Sequence, residues 1–159
     1  MNKPLITRKS KLLIIDDRIS IRKAVYFLLK KTFTVIEVDC GEKALEILQG
    51  SKIDIAFLDM NMPGINGLET LKRIKESDQN IEVCILTAGL NNKIKAAAKK
   101  LGAFGWLEKS IDIPALIETA RAMEKVAIEN RKIRISKNKI TSIKNKLSTQ
   151  IHLTSEIFK

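Results

Sequence analysis

The sequence predicts an α/β fold: a doubly wound, five-stranded parallel sheet with helices on both faces. Three observations carry that prediction. Five short apolar runs of strand length recur between Lys11 and Leu107. Between them, apolar residues fall at the i, i+3, i+4, i+7 spacing of a helix face. The two patterns alternate five times within about 120 residues, the signature of βαβ units whose crossovers are right-handed. Several of the runs are apolar almost throughout, which suits strands covered on both sides.

The first run, KLLII (11–15), leads to a helix marked by Ile21, Ala24, Val25 and Leu28. FTVIEV (33–38) follows, then a shorter helix after Gly41 marked by Ala44, Leu45 and Leu48. IDIAFL (53–58) passes through a loop holding Pro63 and Gly64 into a helix with Leu68, Leu71 and Ile74. IEVCIL (81–86) precedes a helix that starts at Asn91–Asn92, carries Ile94, Ala97, Ala98 and Leu101, and stops at Gly102. AFGWL (103–107) is the last run, followed by Ile113, Leu116, Ile117 and Ala120 on one helical stripe. From Met123 the strand signals end. Val126, Ile133, Ile140 and Leu147 then fall seven apart, with Ile143 and Ile151 near the same stripe. Such a stripe continues the last helix or forms a coiled coil. Ser, Thr and Asn are frequent between 136 and 155, so a partly ordered helix that needs a partner is expected. The predicted organisation is a basic extension over 1–10, a domain over 11–123, and a basic helical extension or linker over 124–159.

Composition narrows the function. The 159 residues are 45% hydrophobic and 30% charged, with net charge +11. Residues 123–159 hold 9 basic and 3 acidic side chains, so the short tail carries more than half of the excess. A basic tail reads as a solvated helix face or as a contact for nucleic acid or an acidic partner. No apolar run approaches the roughly 20 residues of a membrane span. Nothing at the start resembles a signal peptide. Cys40 and Cys84 stand far apart without paired spacing, which favours reduced thiols and a cytoplasmic setting over a disulfide or zinc site.

In an open parallel sheet, ligands bind beyond the carboxyl ends of the strands. Here those ends read Asp16–Asp17, then Asp39, then Asp59, Thr87–Ala88 and Glu108–Lys109. Taken singly, each has an ordinary explanation. Asp16 or Asp17 can cap the next helix, Thr87 can be a turn residue and Lys109 a solvated charge. Their joint placement on one rim outweighs those explanations. Three carboxylates together repel unless a cation joins them. An all-oxygen set suits a hard ion such as Mg²⁺. The only histidine, His152, lies in the tail. One carboxylate is then available as a nucleophile towards phosphorus, with Thr87 and Lys109 offering a hydroxyl and a point charge.

These residues resemble the receiver domain of two-component response regulators. The likeness runs from about Lys11 to Met123 and includes LLIIDD, FLDMNMPGINGLETLKRIK, ILTA with Thr87, and GAFGWLEK with Lys109. It implies a flavodoxin-like fold with strand order 2-1-3-4-5. It implies that Asp59 is the phosphoacceptor and that Asp16 and Asp17 are metal-binding acids, Asp17 the direct ligand. Asn61 would lend its backbone carbonyl to Mg²⁺, while Thr87 and Lys109 would contact the phosphoryl group. Trp106 falls at the switch position, where the family usually has Tyr or Phe; a buried core aromatic is the other reading. Ser110 stands where the family has a proline after the lysine, and a cis bond there would cost roughly 2.5–4 kcal/mol. Asn66 stands where Asp is common, a mild turn substitution.

The implied function is transfer of a phosphoryl group to Asp59 from a sensor histidine kinase or histidine phosphotransfer protein. It is followed by a change in the face formed by the fourth helix, fifth strand and fifth helix. Slow intrinsic loss of the phosphate is the only catalysis expected. Outputs compatible with the residues are partner binding, or a homodimer through that face and the C-terminal helix. Nucleic acid would be reached only through the basic tail or an effector domain absent from these residues, as in the receiver part of a transcriptional regulator. A haloacid-dehalogenase-type phosphatase shares the residue types but not their order, since its nucleophile lies on the first strand. No membrane role is expected.

Overall fold

The computed structural model describes the backbone of residues 8–89, 91–110 and 112–157, and side chains as far as Ser148. Five strands and five helices alternate: β1 Lys11–Ile15, α1 Ile19–Leu29, β2 Thr34–Val38, α2 Gly41–Gly50, β3 Ile55–Asp59, α3 Gly67–Ser77, β4 Glu82–Thr87, α4 Asn92–Lys100, β5 Gly105–Glu108 and α5 Ile113–Ile157. All four strand pairings are parallel, in the order β2-β1-β3-β4-β5. This is the flavodoxin-like order expected.

The central strands β1, β3 and β4 are the nearly continuous apolar runs, and their residues are buried almost throughout. The edge strands β2 and β5 are only half-buried. Strand alternation divides the core into two layers. Leu13, Ile15, Ala56, Leu58, Val83 and Ile85 pack with Ala44, Leu71, Ile74 and Ala98 from α2, α3 and α4. Leu12, Ile14, Ile55, Phe57, Cys84 and Leu86 pack with Val25, Leu29, Leu116, Ala120 and Met123 from α1 and α5. Both layers bring the carboxyl ends of the strands to one rim.

Local rules set the helix boundaries. Asn66 caps α3 by accepting from Glu69 N–H at 2.9 Å, so it is a helix cap as well as a turn residue. Asn91 does the same for α4 through Ile94 N–H. Gly102 leaves α4 with φ +86°. Neither Asp16 nor Asp17 caps α1: Arg18 is the N-cap and has no side-chain bond.

The chain divides into two compact units between Ala127 and Ile128. In the second, helix continues through the described residues to Ile157, the continuation of the last helix that the apolar stripe allowed. A helix already nucleated extends at little cost. Thr141 Oγ1 returns its hydrogen to the Lys137 carbonyl at 3.0 Å, and Glu129 pairs with Lys132 at 3.5 Å. Val126, Ile133, Ile140, Ile143 and Leu147 are exposed; the side chain of Ile151 lies outside the described residues, as do Met1 to Thr7 of the expected basic extension. Of that extension, Arg8 is described, paired with buried Asp54 at 3.0 Å.

Candidate phosphoacceptor site

The strand ends meet as the spacing predicts. Asp16 follows β1 directly and is fully buried, Asp59 is the last residue of β3 and 1% exposed, and Thr87 ends β4. Register explains the placement: Leu58 pairs with Ile15 and with Ile85, and Thr87 with Glu108, just before Lys109. Carboxylate oxygens of Asp16, Asp17 and Asp59 lie within 4.8 Å of one another. Lys109 Nζ is 2.6 Å from Asp59 Oδ2 and 2.8 Å from Asp16 Oδ2, and its side chain is 6% exposed. Burial raises the Coulomb attraction between this ammonium and the two carboxylates above that of a surface ion pair, at a desolvation cost that offsets most of it.

The backbone holds the acids in place. Asp16 Oδ1 accepts from Arg18 N–H at 2.9 Å, and Asp59 Oδ1 from Asn61 N–H at 3.1 Å. The guanidinium of Arg22 donates to the Asp16 carbonyl at 2.6 Å, pinning the turn after β1. Lys109 N–H donates to the Thr87 carbonyl at 2.8 Å, which fixes the height of the lysine on the rim. No cis peptide occurs among the described residues, so Lys109 reaches both acids without one. Thr87 Oγ1 is turned aside: it donates to the Gly89 carbonyl at 3.0 Å and accepts from Gly89 N–H at 3.2 Å.

The set fits a hard divalent cation. Three carboxylates face the Lys109 ammonium and, at 3.9 Å from Asp16, the half-exposed Arg18 guanidinium, so the cluster still carries excess negative charge. Asp16 Oδ2 touches Lys109 by charge but receives no aligned hydrogen bond although buried. Asp17 is exposed and makes no hydrogen bond or ion pair among the described residues. Acceptor capacity therefore remains within the cluster, all of it oxygen, as Mg²⁺ prefers.

Trp106 is not a core aromatic. It is 41% exposed on β5, beside Ile85 in register, and Lys95 Nζ lies 5.3 Å above its ring. Strand alternation applied to the half-buried edge β5 would have placed it outward. Two supporting residues escaped the sequence reading. Arg22 acts through its side chain on a main-chain carbonyl, and Glu42 through Ile65 N–H at 2.9 Å. Neither contact has a spacing signature.

A family model described as the response regulator receiver domain matches residues 12–121. The chain belongs to this family. It is therefore a signalling receiver of two-component systems, not an enzyme of the ordinary kind, and receivers of this family bind Mg²⁺ at an acidic pocket. Sporulation initiation phosphotransferase F of Bacillus subtilis is similar at 34% identity over 112 residues, which is 70% of this chain and 90% of that protein. A putative transcriptional regulator of Pseudomonas aeruginosa is 34% identical over 116 residues, or 72% of this chain and 56% of that one. The chain spans about half the length of this and several other curated relatives. Among solved structures, the chemotaxis protein CheY4 of Vibrio cholerae superposes with TM-score 0.67 at 31% identity, covering 72% of this chain and 98% of that one. No described helix is long and apolar enough to cross a membrane.

Proposed function

We propose that Asp59 accepts a phosphoryl group from a phosphohistidine on a sensor histidine kinase or histidine phosphotransfer protein. An Asp59 oxygen attacks phosphorus and the P–N bond breaks. The bonding pair returns to the imidazole nitrogen, which takes up a proton from water. Asp16, Asp17, Asp59 and the Asn61 carbonyl would hold Mg²⁺. When bound, the ion supplies charge neutralisation for the phosphoryl oxygens. Lys109 supplies the second positive charge, and Thr87 exchanges its bonds to Gly89 for one to a phosphoryl oxygen. The observation that carries this reading is the Lys109 ammonium bridging Asp59 and Asp16 beside Asp17 on one rim.

Movement of Thr87 is passed along β4 and β5 to Trp106, which shifts the equilibrium of the face made by α4, β5 and the first turns of α5. Partner binding or dimerisation there, extended by the C-terminal helix, is the output. The free thiols Cys40 and Cys84 suit work in the cytoplasm. A second reading, a receiver that forms part of a longer transcriptional regulator, is favoured by the partial coverage of the Pseudomonas relative. Nothing in the fold or the relatives favours the dehalogenase-type phosphatase.

The test is incubation with Mg²⁺ and acetyl phosphate, comparing wild type with Asp59→Ala by intact mass and light scattering. Wild type gains one acid-stable, alkali-labile phosphoryl group and the variant none. A gain that survives Asp59→Ala refutes the assignment, and a gain without change of oligomer removes the dimer.

A further inference from the structure

Residues 61–65 form the tip of the loop that leaves Asp59, and Asn61 begins it. Among the described residues, one hydrogen bond ties this tip to an element other than β3: Ile65 N–H donates to Glu42 Oε1 at 2.9 Å. Glu42 sits in the first turn of α2. An acid there is ordinarily read as a partner of the helix dipole, yet this carboxylate is turned onto the neighbouring loop. Two glycines make the approach possible. Gly64 adopts φ +80°, and a Cβ on it would collide with the Glu42 carboxylate. A Cβ on Gly41 would meet Thr70 Oγ1 and come within 2.7 Å of the Ile65 side chain. The start of α2 is therefore seated against the loop. The Ile65 N–H is the main reason the Glu42 carboxyl ionises below its usual range, so the acceptor is charged at neutral pH.

We propose that Glu42 is a positioning residue of the phosphoacceptor site. By holding Ile65 it fixes the 61–65 tip, and so presets the Asn61 carbonyl for the divalent ion before the ion arrives. The inference rests on the metal-site reading above. It adds a residue that touches neither ion nor phosphoryl group and that lies on a helix outside the rim. It also implies reciprocity: if the tether favours the ion, the ion favours the tether.

The experiment measures Mg²⁺ binding by calorimetry and amide exchange at Ile65 by NMR, in wild type, Glu42→Gln and Glu42→Leu. Loss of the acceptor in Glu42→Leu should weaken Mg²⁺ about tenfold, the low end for outer supports of a metal site. Glu42→Gln keeps an acceptor oxygen and should stay within about twofold of wild type. Mg²⁺ should slow Ile65 exchange in wild type and in Glu42→Gln but not in Glu42→Leu. Far-UV circular dichroism checks that each variant is folded. Equal weakening in both variants would mean that Glu42 acts only through its charge, and would overturn the proposal. Unchanged Mg²⁺ affinity in Glu42→Leu, or exchange at Ile65 indifferent to the ion, would overturn it as well. Failure of wild type to bind Mg²⁺ at all would instead strike the metal-site reading, which keeps the two failures distinct.

Discussion

Replacing Lys109 by Met removes the buried cation of the cluster, leaving the half-exposed Arg18 guanidinium 3.9 Å from Asp16, while keeping much of the side chain's volume. At 2.6 and 2.8 Å from Asp59 and Asp16, each contact is worth about 6 kcal/mol of Coulomb attraction at an effective dielectric near 20. Desolvation of a side chain 6% exposed returns most of that. Breaking a buried pair leaves its partners uncompensated, so a net loss of about 3 kcal/mol is expected. On a unit of this size that corresponds to a fall in Tm of about 10 °C. The sign with respect to metal is opposite. Lys109 and Mg²⁺ are both positive and would compete for the carboxylates of Asp16 and Asp59, so removing the lysine should tighten Mg²⁺ about tenfold, or 1.4 kcal/mol. Urea unfolding in EDTA and in saturating MgCl₂ reads both effects. The deficit of Lys109→Met against wild type should shrink by about 1.4 kcal/mol when the ion is present. Phosphorylation by acetyl phosphate should still fall, because the ammonium on the phosphoryl group is lost. A deficit equal in both conditions would show that Lys109 serves as packing and not as a cation sharing the site, and would refute the reasoning.

Other expectations follow from single contacts. Asn66→Ala should lower stability by about 1 kcal/mol through loss of the α3 cap, whereas Asn66→Asp should keep it; chemical denaturation compares them. Burial pushes the Cys84 thiol up to about 12 from 9.0. Below pH 9 the thiol is neutral in both states and its contribution is intact. Between pH 9 and about 12 only the unfolded chain ionises, so stability should fall by up to about 1.4 kcal/mol per pH unit. Cys84→Ala should flatten that slope in pH-dependent unfolding. At neutral pH iodoacetamide should label half-buried Cys40 and spare Cys84 until the protein unfolds. A chain ending at Ala127 retains both core layers, and should still unfold cooperatively and take up the Asp59-dependent phosphoryl mass.

How much was legible in the sequence depended on whether the signal was local. IAFLD could be placed because a strand buried on both faces must be apolar throughout, and because a carboxylate at its end stands out against that run. Asp16, Thr87 and Lys109 could be joined to it because parallel crossovers send every strand end to one rim. The ends of α4 were legible too, from Asn91 before it and Gly102 after it; the start of α3 was less visible, since Asn66 is an equally good turn and cap residue until the backbone chooses. The helical character of the C-terminal extension was legible in its seven-residue stripe, but its continuity with α5 was not, since the same stripe also suits a coiled coil and an already formed helix needs only modest formers to continue.

What sequence could not reveal is the layer of contacts that aim the rim. Arg22 reaches the Asp16 carbonyl and Glu42 reaches Ile65 N–H. Main-chain groups carry no residue identity, so nothing in the spelling marks their partners. Trp106 shows the same limit from the opposite direction: a core aromatic was one of its two readings, and its place on an edge strand turns it outward under Lys95. The candidate site residues could therefore be named from chemistry, chain order and the family resemblance. The supporting contacts required the fold: Arg22, on the helix after β1, meets the turn at Asp16, and Glu42, on the helix after β2, meets the loop at Ile65. Arg22 bonds to the turn that carries Asp16 and Glu42 to the loop that carries Asn61, so on the metal-site reading loss of either should loosen the ion's seat while leaving its ligands chemically intact.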